Sequence, residues 1–272
     1  MEREKITFTG AQETMLATLY ARALDSRRPR SVLHDHAADE AVQRIDYDFR
    51  KTGIKGTSAI GVAIRAKQLD IWTAEFLTKN PSATVLHLAC GLDTRVQRLE
   101  PAQSVRWLDV DYPEVIALRD RLLPKPTGDY QELSTSVTAE DWLEEVPADR
   151  PTVAVFEGLS MYLRKEEGKR LIERITGRFP SGQLLFDCYS TLGVKLQKGV
   201  PALRNAKATL YWGIDDPQEI EAWHPSLKCV DAMRSADMPG LEVLPLAGRI
   251  AIWTMARLPK LRDMGRILRY TY

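Results

Sequence analysis

The amino-acid sequence predicts an α/β fold: a Rossmann-like, doubly wound and mostly parallel sheet with an antiparallel edge hairpin, preceded by an N-terminal helical cap. Three observations carry this expectation. From Thr84 onward, apolar runs of strand length alternate with stretches of helical period, the pattern of a parallel sheet covered by helices. Within that region VLHLACGLDTRVQRL passes from strand through a glycine turn into helix, and WLDVDYPEV answers it with a second strand that ends in acid. Before the Asn80-Pro81 break, apolar residues recur at helical spacing and no alternating strand is seen. The chain therefore divides into a helical cap over 1–80 and a sheet domain over 81–272.

In the cap, helices are expected over 12–24, 37–49 and 58–77, joined by polar or glycine-containing links. The sheet domain then offers strands at 84–90, 105–111, 130–133, 152–157 and 183–189. Helices at 94–99, 113–122, 139–145 and 165–179 fill the gaps, and Thr138 with Asp141 resembles a capping box for the third of them. The stretch 192–223 follows neither period and is expected to be an insertion capping the crevice, with Tyr211, Trp212 and Trp223 as an aromatic wall. The tail carries the stretch 227–233. EVLPL and RIAIWTMARL read as the two strands of the edge hairpin, joined at Ala247-Gly248.

Composition narrows the function classes. At 272 residues the chain can bury a large core. A formal net charge of +1 provides no global field for capturing nucleic acid, and Arg27, Arg28 and Arg30 read as a solvated face. Cys90, Cys188 and Cys229 have neither paired nor metal-like spacing, which points to a reducing compartment, the cytoplasm, and to no metal. The opening MEREKITFTG is charged, and no apolar run approaches the length of a membrane span.

The ligand class follows from the glycine turn. In open α/β sheets ligands bind at the carboxyl ends of the strands, so Gly91 and Asp111 face one crevice, twenty positions apart as in a nucleoside-binding unit. A dinucleotide site needs G-x-G-x-x-G around a pyrophosphate, and this turn has a single glycine after Ala89-Cys90. S-adenosylmethionine carries no phosphate, so one glycine and one acid for the ribose suffice.

Other candidates have two readings each. Glu157 ends the strand PTVAVF and either lines the crevice or caps the next helix. Ser136 and Val137 either neighbour an adenine or begin a helix. Arg65 shares a helix face with Gly61, Leu69, Trp72 and Phe76, where its guanidinium either snorkels or meets a buried anion; Arg22 poses the same question. His34 and His36 flank Asp35 in a loop or helix start near the substrate, too close in sequence to share one metal. His87, inside a strand, reads as a packed core histidine.

The ordered blocks LACGLDTRVQRL, LDVDYPEVI and FEGLSMYL, with YARALDSRRP, LHDHAAD and AIRAKQLD before them, resemble the leucine carboxyl methyltransferase family, in the branch of the tetracenomycin-type polyketide carboxyl O-methyltransferases. The resemblance covers about residues 18–189 and, more weakly, RIAIWTMARL. It implies a class I methyltransferase sheet that uses S-adenosylmethionine. By the same resemblance Arg65 holds the methionine carboxylate with Arg22 as a second contact, Gly91 makes the turn beneath it, and Asp111 takes the ribose hydroxyls. Ser136 and Val137 would flank the adenine, and Glu157 the methionine amino group. Ala89 and Cys90 depart from the glycine-richer turn of the family.

The expected reaction is O-methylation of a small-molecule carboxylate or hydroxyl, of polyketide type. The alternatives are methylation of a protein C-terminal carboxylate and cofactor binding without turnover. A carboxylate acceptor is ionised near neutral pH and requires no general base. A phenol would benefit from one, for which His34, His36 and Tyr162 are the candidates.

Overall fold

A computed structural model describes residues 3–272. The helical segment opens with β1 (Glu4–Lys5), α1 (Ala11–Ser26) and α2 (His36–Arg44), followed by β2 (Ile45–Asp46) and the long α3 (Gly56–Lys79). Leu16, Leu19 and Ala23 of α1 bury against Ala38, Ala41 and Val42 of α2. Asp35 caps α2 by accepting the Ala38 N–H. The helix expected over 37–49 stops at Arg44, because Ile45-Asp46 pairs in parallel with Glu4-Lys5 and Asp48 caps a separate 3-10 turn by accepting the Arg50 N–H. A two-residue strand pair therefore exists where no strand was expected.

The main sheet contains β3 (Thr84–Leu88), β4 (Arg106–Asp111), β5 (Asp129–Ser134), β6 (Thr152–Phe156), β7 (Gly182–Tyr189), β8 (Lys228–Arg234) and β9 (Gly265–Thr271). Its order is β5-β4-β3-β6-β7-β9-β8, with the first five parallel and β9 antiparallel to both β7 and β8. Around it lie α4 (Arg95–Leu99), α5 (Pro113–Leu122), α6 (Lys165–Arg178), α7 (Thr191–Lys195), α8 (Pro201–Asn205) and α9 (Leu246–Arg257). The five strands expected between 84 and 189 are all present. Strand order reverses between β3 and β6, which opens a crevice at their carboxyl ends.

Each sheet face has its own core, set by the two-residue period of the strands. Leu86, Leu108, Ala154 and Phe186 pack against Leu171, Ile172 and Ile175 of α6. On the other face Val85, Val153, Val155 and Leu185 meet Ile60, Ile64, Leu69 and Trp72, so α3 is a covering helix of the sheet. Each fully buried aliphatic side chain contributes about 1.5–3 kcal/mol.

Two expected elements of the sheet domain also differ. Residues 139–145 form turns rather than a helix. Their carbonyls are taken by α6, with Arg174 donating to Ala139 and Glu140, and Arg178 to Glu144 and Val146. Ser136, not Thr138, organises the start of this segment by accepting the Thr138 N–H. The hairpin expected in 242–258 is the helix α9: Leu246, Ile250 and Trp253 follow a helical period, and Gly248 lies inside the helix against Thr57 rather than in a turn. The antiparallel edge is formed instead by 228–234 with 265–271.

Candidate active site

The carboxyl ends of β3, β4, β6 and β7 form one wall of a cavity of about 360 Å³, and α1 forms the opposite wall through Thr14, Met15 and Thr18. That volume is within the roughly 300–1,000 Å³ of small-molecule sites. All seven residues expected to contact the cofactor line this one cavity, as does Tyr162.

After β3 the chain reverses through Ala89, Cys90 and Gly91. Ala89 and Gly91 have φ of 48° and 51°. The left-handed conformation is free for glycine and costs alanine roughly 1–2 kcal/mol. A Cβ at Gly91 would lie 3.3 Å from that of Met15, so α1 seats directly on the turn. The Gly91 N–H donates to Asp111 Oδ2 at 2.7 Å, and the Tyr112 N–H to Oδ1 at 2.8 Å. Each oxygen keeps a free lone pair. Burial raises the Asp111 pKa despite these two bonds. Cys90 is buried and burial pushes its thiol well up, which makes it a packing residue rather than a nucleophile. His87 is the packed histidine expected: its Nδ1 lies 2.7 Å from Asp109 and its Nε2 3.5 Å from Asp93.

A buried ion network surrounds the turn. Arg65 donates from Nε and Nη2 to Glu157 Oε1 at 3.0 and 2.8 Å, and from Nη1 to Asp187 Oδ2 at 2.8 Å. Two of its five N–H groups are left for a ligand. Glu157 also accepts from Arg95 Nη2 at 2.8 Å; it pairs with arginines and does not cap a helix. Burial opposes the charge on Glu157, but Arg65 and Arg95 hold its pKa below the usual range. Arg22 donates to Asp35 at 3.1 Å and to the Leu92 carbonyl at 2.9 Å, and its Nη1 makes no hydrogen bond among the described residues. The guanidinium groups of Arg22 and Arg65 are thus aimed at anions rather than snorkelling.

Ser136 and Val137 line the cavity beyond Asp111, with Val137 buried. The Tyr162 hydroxyl lies 3.0 Å from Thr14 Oγ1, and burial pushes its pKa up to about 12, so it donates a hydrogen bond and is no base near neutrality. His34 and His36 are exposed and outside the cavity. Asp35, as the helix cap, turns inward to Arg22, Thr94 and Arg98, which leaves its neighbours pointing out. The aromatic wall also falls elsewhere. Trp212 is buried against Gly168 and Trp223, and Tyr211 is exposed under Arg164; Val200, Ala202, Leu203 and Leu210 of the same segment line the cavity instead.

Several site residues were not anticipated. Asp187 lies near the carboxyl end of β7, two residues before Tyr189, bridging Arg65 and the Gly158 N–H at 2.6 Å, and its position late in the strand, in FDCY, was a usable signal. Tyr189 ends the same strand, and its hydroxyl makes no hydrogen bond among the described residues. Arg95 and Asp70, 2.7 Å apart, carry no local signal because their partners are distant in sequence.

These groups fit S-adenosylmethionine. Asp111 offers lone pairs to a diol, Arg65 and Arg22 offer free N–H groups to a carboxylate, and Glu157 is anionic beside them. Gly158, at φ 69°, has nothing within 4 Å of where a Cβ would stand, so the β6 end is open to a ligand. The profile of the leucine carboxyl methyltransferase family matches residues 15–176, a span that includes every expected cofactor contact. The chain is 42% identical over 272 residues, 99% of each chain, to the tetracenomycin polyketide synthesis O-methyltransferase TcmP of Streptomyces glaucescens. It is 36% identical over 253 residues, 86% of this chain and 85% of the relative, to the S-adenosyl-L-methionine-dependent methyltransferase dpfgK of Gibberella zeae. Its fold is shared with a solved DUF574 family protein from Streptomyces avermitilis, at a TM-score of 0.55, 14% identity, and 92% and 96% coverage of the two chains. The chain belongs to the leucine carboxyl methyltransferase family and is an S-adenosylmethionine-dependent O-methyltransferase.

Proposed function

We propose that the acceptor is the carboxylate of a small, largely apolar molecule of the aromatic polyketide type, methylated in the cytoplasm to its methyl ester. One observation carries this reading: past the cofactor contacts, the cavity is lined by Ile54, Val62, Met161, Leu203 and Leu210, and its free polar groups there are hydroxyls that stay protonated. Burial raises the pKa values of Tyr162 and Tyr189, and both nitrogens of His87 face aspartates. Such a site favours an acceptor that arrives already ionised. The relative named for tetracenomycin polyketide synthesis supports the substrate class. Three free thiols support a reducing compartment. Among the described residues no helix is long and apolar enough to cross a membrane.

When bound, S-adenosylmethionine supplies an electrophilic methyl group on a positively charged sulfur. In this reading Arg65, with Arg22, holds the methionine carboxylate, Glu157 the amino group and Asp111 the ribose hydroxyls, with Ser136 and Val137 beside the adenine. The apolar wall excludes water from the acceptor oxygen, which favours a reaction that neutralises charge. In the same reading Tyr189, whose hydroxyl is not engaged among the described residues, donates a hydrogen bond to the acceptor. The test is a methylation assay on a panel of aromatic polyketide acids, their phenolic analogues and a peptide with a free C-terminal carboxylate, read by mass spectrometry. Base-labile methyl esters of the polyketide acids are expected. Methylation confined to phenols or to the peptide, or tight cofactor binding with no turnover, would overturn the proposal.

A further inference from the structure

Helix α9 stands on the surface with an apolar face that no described residue covers. Leu246 is 70% exposed, Ile250 54% and Trp253 57%, at i, i+4 and i+7, with Met255 and Leu258 also exposed. Only the side containing Gly248, Ile252 and Ala256 turns toward the body, where Gly248 meets Thr57 and Ile252 joins the α3 face of the core. The helix contains two charged residues, Arg249 and Arg257, and Arg257 stacks over the Trp253 ring at 3.2 Å. A helix apolar on nearly all sides belongs in an interior or an interface.

The two ends of this face carry opposite charge. Glu242 precedes the helix, whereas Arg257 and Lys260 stand at and beyond its end; Glu242 and Lys260 are exposed. The helix is about 18 Å long, so a copy laid antiparallel across it meets acid with base at both rims. An isologous contact requires this self-complementarity. An anionic lipid surface would meet Glu242 at the same rim and is disfavoured by it.

We propose that α9 is the centre of a two-fold interface with a second copy of this chain, in which the Leu246, Ile250 and Trp253 faces pack together and Lys260 of each copy approaches Glu242 of the other. None of these residues lines the cavity, so the interface is independent of the methyl-acceptor assignment. The test is sedimentation velocity of the full chain over a concentration series, with cofactor titration on each variant as the control for folding. The parent chain is expected as a dimer. Ile250→Glu and Trp253→Glu are expected to raise the dimer dissociation constant by about a hundredfold or more at unchanged cofactor affinity. Lys260→Glu weakens the dimer, and Lys260→Glu with Glu242→Lys in the same chain restores it. A parent chain that is monomeric at all concentrations, variants that remain dimeric, or a monomer that sediments with phosphatidylglycerol vesicles through α9 would overturn the proposal.

Discussion

At the residue scale, the cofactor wall is a set of ions held ready by other ions. Arg65 is kept between Glu157 and Asp187, and its remaining N–H groups are oriented before any ligand arrives. Arg65→Met should weaken S-adenosylmethionine binding by roughly a hundredfold, since hydrogen bonds to charged groups contribute about 1.5–3 kcal/mol each. Calorimetric titration checks this, and a folded variant with parental affinity would remove Arg65 from the site. Behind the turn, Asp109 faces Arg119, His87, Trp107 and Tyr130. Asp109→Asn should destabilise the chain by about 3–5 kcal/mol by leaving Arg119 buried without its counter-charge, measurable by denaturant unfolding. Gly91, Asp111 and Glu157 could be placed at the crevice from the sequence because strand ends and a glycine turn mark it locally, whereas Arg65, inside a helix, stayed open between snorkelling and a buried anion until the family resemblance gave it a role. The HDH triplet is the helix start expected, with Asp35 capping α2, but its histidines lie outside the cavity, because which of three adjacent polar residues turns inward is set by that cap and by Arg22 and Arg98 from other elements.

At the element scale, the parallel strands were legible because strands buried on both faces become continuous apolar runs. The errors lie where one period imitates another or where distant side chains replace a helix. RIAIWTMARL is apolar at so many positions that a strand and a helix both fit it, and Pro245 at the N-cap of α9 settles the matter only once the backbone is seen. Residues 139–145 have helix-forming composition, yet α6 supplies arginines to their carbonyls and a short helix gains little over that arrangement. The seam between α6 and the segment after α8 is equally tight. A Cβ on Gly168 would come within 2.2 Å of the Trp212 ring, so Gly168→Ala should cost about 1–3 kcal/mol and lower Tm by several degrees in a thermal melt, in spite of alanine's higher helix propensity.

At the scale of the whole molecule, the buried carboxylates Asp93 and Asp109 on one side and Asp111 and Asp187 on the other have opposite pH behaviour. Burial opposes the charges on Asp93 and Asp109, but Arg95 and Arg98 around the first and Arg119 and His87 around the second hold their pKa values below the usual range. Their stabilisation is present above the ordinary carboxylate pKa and is lost as pH falls through the depressed values. Burial raises Asp111 and Asp187 instead, so these two protonate first, and their ionisation lessens stability as pH rises through the raised values. On acidification, affinity for S-adenosylmethionine should therefore fall while Tm is still near its neutral value, and Tm should collapse only at lower pH. Parallel titrations and thermal melts from neutrality to about pH 3 would show the separation, and coincident losses would contradict it. Saturating cofactor at about a hundred times its dissociation constant should add about 2.7 kcal/mol of stability at neutral pH. The sheet order has a consequence for biosynthesis. Among the described strands β8 pairs only with β9, made of the later residues 265–271, so β8 has no neighbour until that segment is available. While the ribosome still holds β9, the edge of β7 that β9 covers is open. Nascent chains stalled before Gly265 should be protease-sensitive and prone to strand-swapped association, whereas those released beyond Thr271 close the sheet in one step.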